Sequence, residues 1–158
     1  MVIDLRAYKK LYHALYSDVF ATEDRVYKIL KTFVDASWNE RSLTRFAAQC
    51  DAYHRAAGDT IMRKHVAEYY GPGNVERVVD EDGSDVSDRY SLGACYIVER
   101  LYGPELKVND EHIRSNCPYV FDVRRRFGDF GIDTSDASVF FYDDHNRFKL
   151  IDFETRAY

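Results

Sequence analysis

The sequence contains few of the residues that mark specialised protein classes. Its 158 residues include three cysteines, three prolines, eight glycines and one tryptophan. The cysteines Cys50, Cys95 and Cys117 are odd in number, widely spaced and without a Cys-x-x-Cys pair, which argues against a disulfide framework and a zinc site. Scarce proline and glycine, with 46% hydrophobic residues, argue against a fibrous or disordered chain. We therefore predict one folded domain with reduced thiols.

The sequence also lacks an excess of basic residues and a long apolar run. It carries 22 Lys and Arg against 27 Asp and Glu, a net charge of -5. Because binding to a phosphate backbone relies on clustered Lys and Arg, we do not expect nucleic acid as a partner. No run approaches the roughly 20 apolar residues that span a bilayer, and charges interrupt Met1–Lys10, where a signal peptide would be apolar. We expect a cytoplasmic protein without a membrane partner.

The spacing of the apolar residues predicts an α+β fold in which helices pack on an antiparallel sheet. From Ile3 to Leu15 these residues recur mostly every three or four positions, which predicts a lead-in helix over residues 1–16. Two regions follow, at 17–103 and 104–158. Their expected elements are a hairpin over Asp18–Lys31 with its turn at Thr22–Arg25, a helix capped at Ser37 or Asn39 that ends before Gly58, paired strands at His65–Tyr70 and Val75–Val79, a buried strand at Gly93–Tyr102, a helix at Tyr119–Phe127, and a terminal hairpin of Ala137–Tyr142 and Phe148–Phe153 with its turn at Asp143–Asn146.

Two strongly charged segments are interpreted as solvated surface. Asp80–Asp88 is acidic, but its spacing departs from the ligand order of an EF-hand, so a turn is expected there. Arg124, Arg125 and Arg126 are adjacent in a predicted helix and point in different directions. We therefore expect the arginines to be surface charge rather than an anion site.

The last thirty residues carry the most chemical information, because two aspartates flank the predicted terminal hairpin. Asp133 precedes its first strand, and Asp152 ends its second strand. An antiparallel hairpin brings both carboxylates to the same end. Converging carboxylates can hold a divalent cation and can orient a hydroxyl nucleophile.

Taken in order, these features resemble the protein-kinase-like superfamily, including its small-molecule kinase branches. Val26–Ile29 resembles the strand that carries the phosphate-anchoring lysine, and Asn39–Ala57 resembles the helix that follows it. Tyr96–Leu101 resembles the strand that enters the hinge between lobes. Gly131-Ile132-Asp133 stands where the catalytic His-x-Asp lies, and Leu150–Glu154 resembles the metal-binding Asp-Phe-Gly segment. The resemblance implies a kinase amino-terminal lobe followed by a catalytic-loop hairpin.

The resemblance also implies a role for each matching residue. Lys28 would hold ATP phosphate oxygens, with Glu40 as its helix partner and Asp51 as the other option. Asp133 would accept or orient the attacking hydroxyl, and Asp152 would bind Mg²⁺. Ser138 stands where the family has a second metal-binding residue, normally Asn. ATP and Mg²⁺ are thus the cofactors implied; the other expectation is that the protein uses none.

Other features depart from the family's pattern. The segment Tyr16–Arg25 contains no glycine, so it lacks the close backbone approach of a glycine-rich phosphate loop. At most five residues follow Phe153, so we expect the lobe that binds peptide substrates to be missing. Together with Ser138, these departures resemble a minimal or truncated pseudokinase, such as the compact kinase-like proteins that some bacteriophages encode, which would place it in the host cytoplasm.

Three functions are expected from these residues. The first is a degenerate kinase-like protein that acts mainly by binding a protein partner, or as a homodimer, with weak or absent nucleotide binding. Thirteen Tyr and ten Phe give 15% aromatic residues together with Trp, enough for such a contact surface. The alternatives are an active Mg-ATP-dependent phosphotransferase and a plain α+β interaction module without a nucleotide site.

Overall fold

The computed structural model describes residues 1–142 and 147–156, and it confirms an α+β fold with antiparallel sheets. Over these residues, the helices are α1 (Ala36–Ala57), α2 (Glu111–Asn116) and α3 (Pro118–Asp129). The strands are β1 (Val2–Asp4), β2 (Lys9–His13), β3 (Ser17–Ala21), β4 (Arg25–Lys31), β5 (Tyr69–Pro72), β6 (Arg77–Val79), β7 (Tyr90–Glu99), β8 (Glu105–Lys107), β9 (Ile132–Asp133), β10 (Ser138–Phe141), β11 (Phe148–Ile151) and β12 (Glu154–Thr155). The chain divides into two compact units: unit 1 is Met1–Ala47 with Tyr70–Arg100, and unit 2 is Ala48–Tyr69 with Leu101–Tyr158.

A five-stranded sheet with the order β2-β3-β4-β7-β5 forms the centre of unit 1. The predicted hairpin is confirmed as β3 and β4, and the predicted buried strand is confirmed as β7. Successive side chains on a strand point to opposite faces. Tyr27 and Ile29 of β4 therefore enter a buried core with Phe20 and Cys95, while Lys28 lies on the other face.

The lead-in helix predicted for residues 1–16 is wrong. Strand β1 instead pairs in parallel with β6, which buries Ile3 completely. A turn closes directly after β1, because the Arg6 amide donates to Asp4 Oδ1 at 3.0 Å and the Tyr8 amide donates to the Asp4 carbonyl at 2.8 Å. Asp favours such local side-chain bonds over a continuous helix, and β2 begins after the turn.

The two strands predicted at His65–Tyr70 and Val75–Val79 do not pair with each other. Met62–His65 is a short 3-10 helix, β5 joins the edge of the five-stranded sheet, and β6 pairs with β1. Gly73 allows this arrangement, because a Cβ there would lie 3.1 Å from Cys95 Sγ. Its amide donates to the Cys95 carbonyl at 2.8 Å, which fixes the close approach.

Helix α1 is confirmed, but its cap differs from the prediction. Asp35, rather than Ser37 or Asn39, caps it: Asp35 Oδ1 accepts the Ser37 amide at 2.8 Å and the Trp38 amide at 3.3 Å. Because the helix begins at Ala36, Glu40 lies beyond its first turn. Leu43 of this helix is 48% exposed, whereas Tyr53 is buried.

Unit 2 combines helices with short strands. Helix α3 confirms the predicted helix and buries Val120, Val123 and Phe127. Helix α2 was not predicted, although Asp110 caps it by accepting the His112 amide at 2.9 Å. The predicted terminal hairpin is confirmed as the antiparallel pair β10 and β11, and β8 pairs with the other edge of β10. Its predicted turn, Asp143–Asn146, lies outside the described residues.

An ion pair between Arg126 and the buried Asp59 fixes the position of α3 within unit 2. Asp59 is 7% exposed and accepts the Arg126 guanidinium at 2.6 Å, the Met62 amide at 2.8 Å and the Ile61 amide at 3.0 Å. These bonds hold the pKa of Asp59 well below its ordinary value of 3.8. Because every contact is to the ionised carboxylate, Asp59 stays charged in the folded protein.

Two predictions from composition can be compared with this fold. Cys50, Cys95 and Cys117 are free thiols, as predicted. Across residues 1–142 and 147–156, no helix is both long and apolar enough to cross a membrane.

Candidate functional site

Lys28 lies near the middle of the unit 1 sheet. It stands opposite Val19 on β3 and Tyr96 on β7. Its side chain is half-buried, and its ammonium nitrogen lies 5.9 Å from the centre of the Tyr96 ring. The position therefore presents a cation on the sheet face opposite the unit 1 core.

The residues suggested as partners of Lys28 have other surroundings. Glu40 is exposed, and within the described part of the chain no ion pair joins it to Lys28. The Asp51 carboxylate pairs with the Arg55 guanidinium one helical turn later, at 2.8 Å. The role of Glu40 in cofactor binding stays a prediction.

In unit 2, strand pairing brings the backbone segments of Asp133 and Asp152 together. Asp133 ends β9 and stands opposite Glu154 on β12, so it faces the strand that begins two residues after Asp152. Ser138 begins β10 and stands opposite Ile151, the residue directly before Asp152. Three of the predicted site residues thus belong to one cluster of strand ends.

The Asp133 carboxylate is half-buried and charged. Its Oδ1 accepts the Ser135 amide at 2.8 Å. That bond and the Ser135 hydroxyl lower the pKa of Asp133, and the guanidinium groups of Arg156 and Arg124 lower it further. A carboxylate with a lowered pKa binds a proton weakly, so Asp133 is better suited to orienting a hydroxyl than to removing its proton.

Asp152 has an unusual backbone conformation. Its φ of 61° lies in the left-handed region, which no other non-glycine residue adopts in the described part of the chain. Phe153 follows it and is buried against Tyr53, with ring centres 4.5 Å apart. The Asp152 charge and burial raise the pKa of Tyr53, burial being the larger cause. The sharp turn at Asp152 therefore separates a half-buried carboxylate from a buried phenylalanine.

The Ser138 hydroxyl is completely buried and, among the described residues, has no hydrogen-bond partner. Buried hydroxyls without a partner are uncommon, because their desolvation is uncompensated. A ligand atom or ion beside Ser138 would supply the missing interaction. The family resemblance implies Ser138 as a metal ligand, and its burial without a partner among the described residues independently favours a ligand there.

The residues present fit Mg²⁺ only in part. Mg²⁺ prefers oxygen ligands and often takes one or two carboxylates together with substrate phosphates. Asp152 and Ser138 offer one carboxylate and one hydroxyl. No group of three His, Cys, Asp or Glu side chains that could hold a metal is found in residues 1–142 and 147–156. Bound ATP would therefore have to supply most of the ligands.

The turn between β2 and β3 contains no glycine. Ala14, Leu15 and Tyr16 form it, and the Ala14 amide donates to the Ser17 carbonyl at 3.0 Å. The Lys31 ammonium also donates to the Ala14 carbonyl. These bonds close the hairpin, and the bulky residues limit the approach of backbone amides to a phosphate.

An exposed apolar surface lies beside this turn, and we name it the unit 1 apolar surface. Val34 and Leu15 are 108% and 62% exposed. The remaining members are three rings in mutual contact, with centres 5.6 to 6.0 Å apart: Tyr16, Phe33 and Trp38. The surface thus combines exposed aliphatic side chains with an ordered aromatic cluster.

Asn39 holds the aromatic cluster in place. Its side-chain oxygen accepts the Phe33 amide at 2.8 Å, and its side-chain nitrogen donates to the Phe33 carbonyl at 2.6 Å. Arg45 lies over the Tyr16 ring at 5.4 Å. Asn39 was predicted as a helix cap, but its side-chain bonds instead order the chain before α1.

The polar groups around Asp133 were not predicted from the sequence. The Arg124 guanidinium donates through Nε to the Thr134 hydroxyl oxygen at 3.0 Å. The Arg156 amide donates to the Gly131 carbonyl at 2.9 Å, which places Arg156 beside β9. The predicted hairpin could have suggested a strand beyond Phe153, but nothing in the sequence indicated its pairing with Ile132 and Asp133.

Comparisons with known proteins add no family to this description. No family model matches the chain, and no curated protein or solved structure is significantly similar to it.

Proposed function

We propose that this chain is a degenerate kinase-like protein that acts mainly by binding a protein partner through the unit 1 apolar surface, with weak or absent nucleotide binding. The observation that carries the proposal is the exposure of Leu15 and Val34 beside an ordered aromatic cluster, whose rings Tyr16 and Phe33 directly follow and precede them in the chain. Exposed apolar side chains that lie together are typical of protein interfaces. Aromatic and arginine side chains, here Trp38 and Arg45, contribute strongly when a partner buries them.

Order in the free protein also favours binding by this surface. Asn39 fixes Phe33 by two hydrogen bonds, and Trp38 lies in the first turn of α1. Side chains that are already ordered lose less conformational entropy on binding. A partner would therefore meet a largely preformed surface.

The geometry of the β2–β3 turn supports weak or absent nucleotide binding. Leu15 and Tyr16 stand where close contact with phosphate requires glycine, and the turn is closed by its own hydrogen bonds. Lys28 alone cannot hold a triphosphate firmly, because phosphate sites rely on several backbone amides as well. We therefore expect Mg-ATP to bind weakly or not at all.

An active phosphotransferase is the second candidate, and the Ser138 hydroxyl favours it. Among the described residues that hydroxyl is buried without a hydrogen-bond partner, and Ser138 stands opposite Ile151, the residue directly before Asp152. Asp133 is ionised on the adjoining strand pair. In this alternative, Asp152 and Ser138 would hold Mg²⁺, and Asp133 would orient the hydroxyl that receives the phosphoryl group.

Calorimetric titration with ATP and Mg²⁺ separates the two candidates. We expect no micromolar binding by the natural protein, by Lys28→Ala or by Asp152→Ala. The exposed residues Lys64 and Asp88 provide matched controls as Lys64→Ala and Asp88→Ala. Micromolar binding that disappears in the two site variants but persists in the controls would contradict the degenerate kinase-like protein and support the active phosphotransferase.

Site-specific photo-crosslinking tests the partner-binding surface. A crosslinking amino acid at Leu15 or Val34 should give one discrete adduct with a protein of the source cell, whereas the exposed Glu81 provides the control position. The identified protein is then titrated against the chain while Trp38 fluorescence is followed. The double variant Leu15→Asp, Val34→Asp should abolish that signal, and equal crosslinking from all three positions would contradict the proposal.

A further inference from the structure

A cavity of about 640 Å³ opens beside Asp133 in unit 2. Helix α3 contributes Arg124 and Arg125, and Arg156 follows β12, so three arginine residues line one space. Thr134 and Asp133 form another part of the wall. The interpretation of Arg124–Arg126 as ordinary surface charge therefore holds only for some of these arginines.

The three consecutive arginines have separate roles. Arg126 leaves the cavity and pairs with Asp59. Arg125 is well exposed and lies 3.7 Å from the Asp122 carboxylate on the solvent side of α3. Arg124 is half-buried, and its Nε is held by the Thr134 hydroxyl at 3.0 Å. Chain spacing alone suggested three dispersed charges, but the fold holds Arg124 near the Asp133 carboxylate, as it does Arg156.

Arg124 is positioned before any ligand arrives. Its guanidinium also lies 5.8 Å from the centre of the Phe121 ring, so two contacts restrict it. Burial lowers the pKa of Arg124, while the Asp133 carboxylate opposes this shift. A restricted, partly desolvated guanidinium attracts an anion more strongly than a solvated one.

The cavity also holds two acidic groups. Asp129 lines it and is exposed, and the Asp133 carboxylate accepts the Ser135 amide. The guanidinium groups of Arg124 and Arg156 thus stand beside two carboxylates, of which solvent screens the Asp129 charge. The Thr134 hydroxyl accepts from Arg124, which leaves its proton available for an acceptor in the cavity.

We propose that this cavity binds a phosphate monoester, with Arg124 and Arg156 as its principal contacts. Arginine suits this ligand because its planar fork donates two parallel hydrogen bonds to phosphate oxygens. A dianion with three acceptor oxygens matches several guanidinium donors and a hydroxyl better than a carboxylate does. The space exceeds a phosphate group, so the ester can carry an organic portion along Phe121.

The proposal does not depend on the unit 1 apolar surface or on a metal ion. It also predicts an effect opposite in sign to that of the phosphotransferase alternative. If Asp133 served a Mg-phosphate site, its removal would weaken phosphate binding. In an arginine-lined cavity the Asp133 charge repels phosphate, so its removal should strengthen binding.

The test is a titration of the full chain with inorganic phosphate in the presence of EDTA, at constant low ionic strength, followed by amide and arginine NMR signals. Arg156→Ala is the main variant because Arg156 is exposed. We expect it to weaken binding about tenfold, as for loss of one charge-assisted contact. Arg114→Ala, at an exposed arginine of α2 outside the cavity, should leave the affinity unchanged within about twofold.

Two further variants should strengthen phosphate binding rather than weaken it. Asp133→Asn keeps an oxygen to accept the Ser135 amide, removes a negative charge and should tighten phosphate binding several-fold. Asp129→Asn should tighten it less, because Asp129 is exposed to solvent. Weaker binding by Asp133→Asn would overturn the proposal.

A phosphoserine peptide and its unphosphorylated twin distinguish the sources of the ester. Tighter binding of the phosphopeptide than of inorganic phosphate identifies a phosphorylated side chain, and equal binding identifies a small phosphorylated compound. Either result supports the site when Arg156→Ala weakens it. No binding of either phosphate form, or equal losses in Arg156→Ala and Arg114→Ala, would overturn it.

Discussion

The two units of this chain differ in the chemistry that they expose. Unit 1 keeps its sheet core apolar and exposes aliphatic side chains beside a fixed aromatic cluster, with Val34 fully accessible. Unit 2 exposes a cavity in which arginines surround a charged aspartate. A family resemblance would assign one shared activity to the whole chain. The difference suggests two kinds of recognition instead, one by apolar contact and one by charge.

The units also stabilise a buried acid in different ways. In unit 1, Asp18 is 2% exposed, accepts the Tyr90 hydroxyl at 2.5 Å and lies 3.5 and 3.8 Å from the Lys10 and Lys31 ammonium groups. In unit 2, Asp59 instead accepts one bidentate arginine and two backbone amides. In unit 1, two lysines and a tyrosine share the contacts to the Asp18 carboxylate. In unit 2, one arginine in bidentate geometry is the charged partner of Asp59.

The largest expected effect comes from the aromatic core of unit 2. Phe153 is 1% exposed and contacts both Tyr53 and Phe127. Phe153→Ala should lower the free energy of unfolding by about 3–5 kcal/mol, because it leaves a cavity. Urea denaturation followed by circular dichroism measures the change. Phe130→Ala, at a ring that is 40% exposed, should cost far less, and similar losses in both variants would contradict the assigned core.

A smaller effect is expected at the buried acid of unit 1. Asp18→Ala leaves the Tyr90 hydroxyl without its acceptor and removes the charge near two lysines. We expect a loss of about 1–3 kcal/mol in the same denaturation measurement. Asp24→Ala, at an exposed aspartate in the β3–β4 turn, is the matched control. A neutral Asp18→Ala would show that the shared contacts do not stabilise unit 1.

The contribution of Asp59 should depend on pH. Its folded-state pKa is lowered by Arg126 and the Met62 and Ile61 amides, so the stabilisation is complete above the unfolded pKa near 3.8. It is lost as the pH falls through the lower folded-state pKa. The stability difference between the natural protein and Asp59→Asn, measured by urea denaturation, should therefore be constant from pH 7 to about 5 and shrink below about pH 4. A difference that grows on acidification would reverse the assigned sign.

The smallest effect on stability is expected at the unit 1 apolar surface. Val34 is 108% exposed, so Val34→Asp removes no buried contact. We expect a change within about 0.5 kcal/mol in thermal unfolding. Ile29→Val, inside the same unit, should cost about 0.5–1.5 kcal/mol and serves as the comparison. A large loss in Val34→Asp would mean that the surface serves folding rather than recognition.

Elements whose partners are close in sequence were predictable. Strands β3 and β4 are joined by a polar turn, and α1 and α3 carry strong helical spacing. Strand β1 was not predictable, because its partner β6 lies more than seventy residues away and its apolar spacing fits a helix equally well. The Asp4 turn decides between the two, and its effect depends on hydrogen bonds that spacing does not encode.

The site was predictable where it follows the order of the chain. Asp133, Ser138 and Asp152 could be placed at neighbouring strand ends because a hairpin separates them. Arg156 could not, because its position depends on the pairing of two-residue strands β9 and β12. The place of Arg124 in the cavity could not be predicted either. It depends on the hydrogen bond from Arg124 to Thr134, a residue that is buried in the folded unit.

The left-handed backbone at Asp152 gives this position two separable properties. Glycine adopts a φ of 61° without steric cost, and asparagine tolerates it better than most residues do. Asp152→Asn therefore changes the charge while retaining the side chain's shape, and Asp152→Gly relaxes the main chain while removing the side chain. If Asp152→Gly stabilises the protein, then the natural aspartate lowers the free energy of unfolding. A residue that is kept despite such a cost is typical of one that serves function rather than folding.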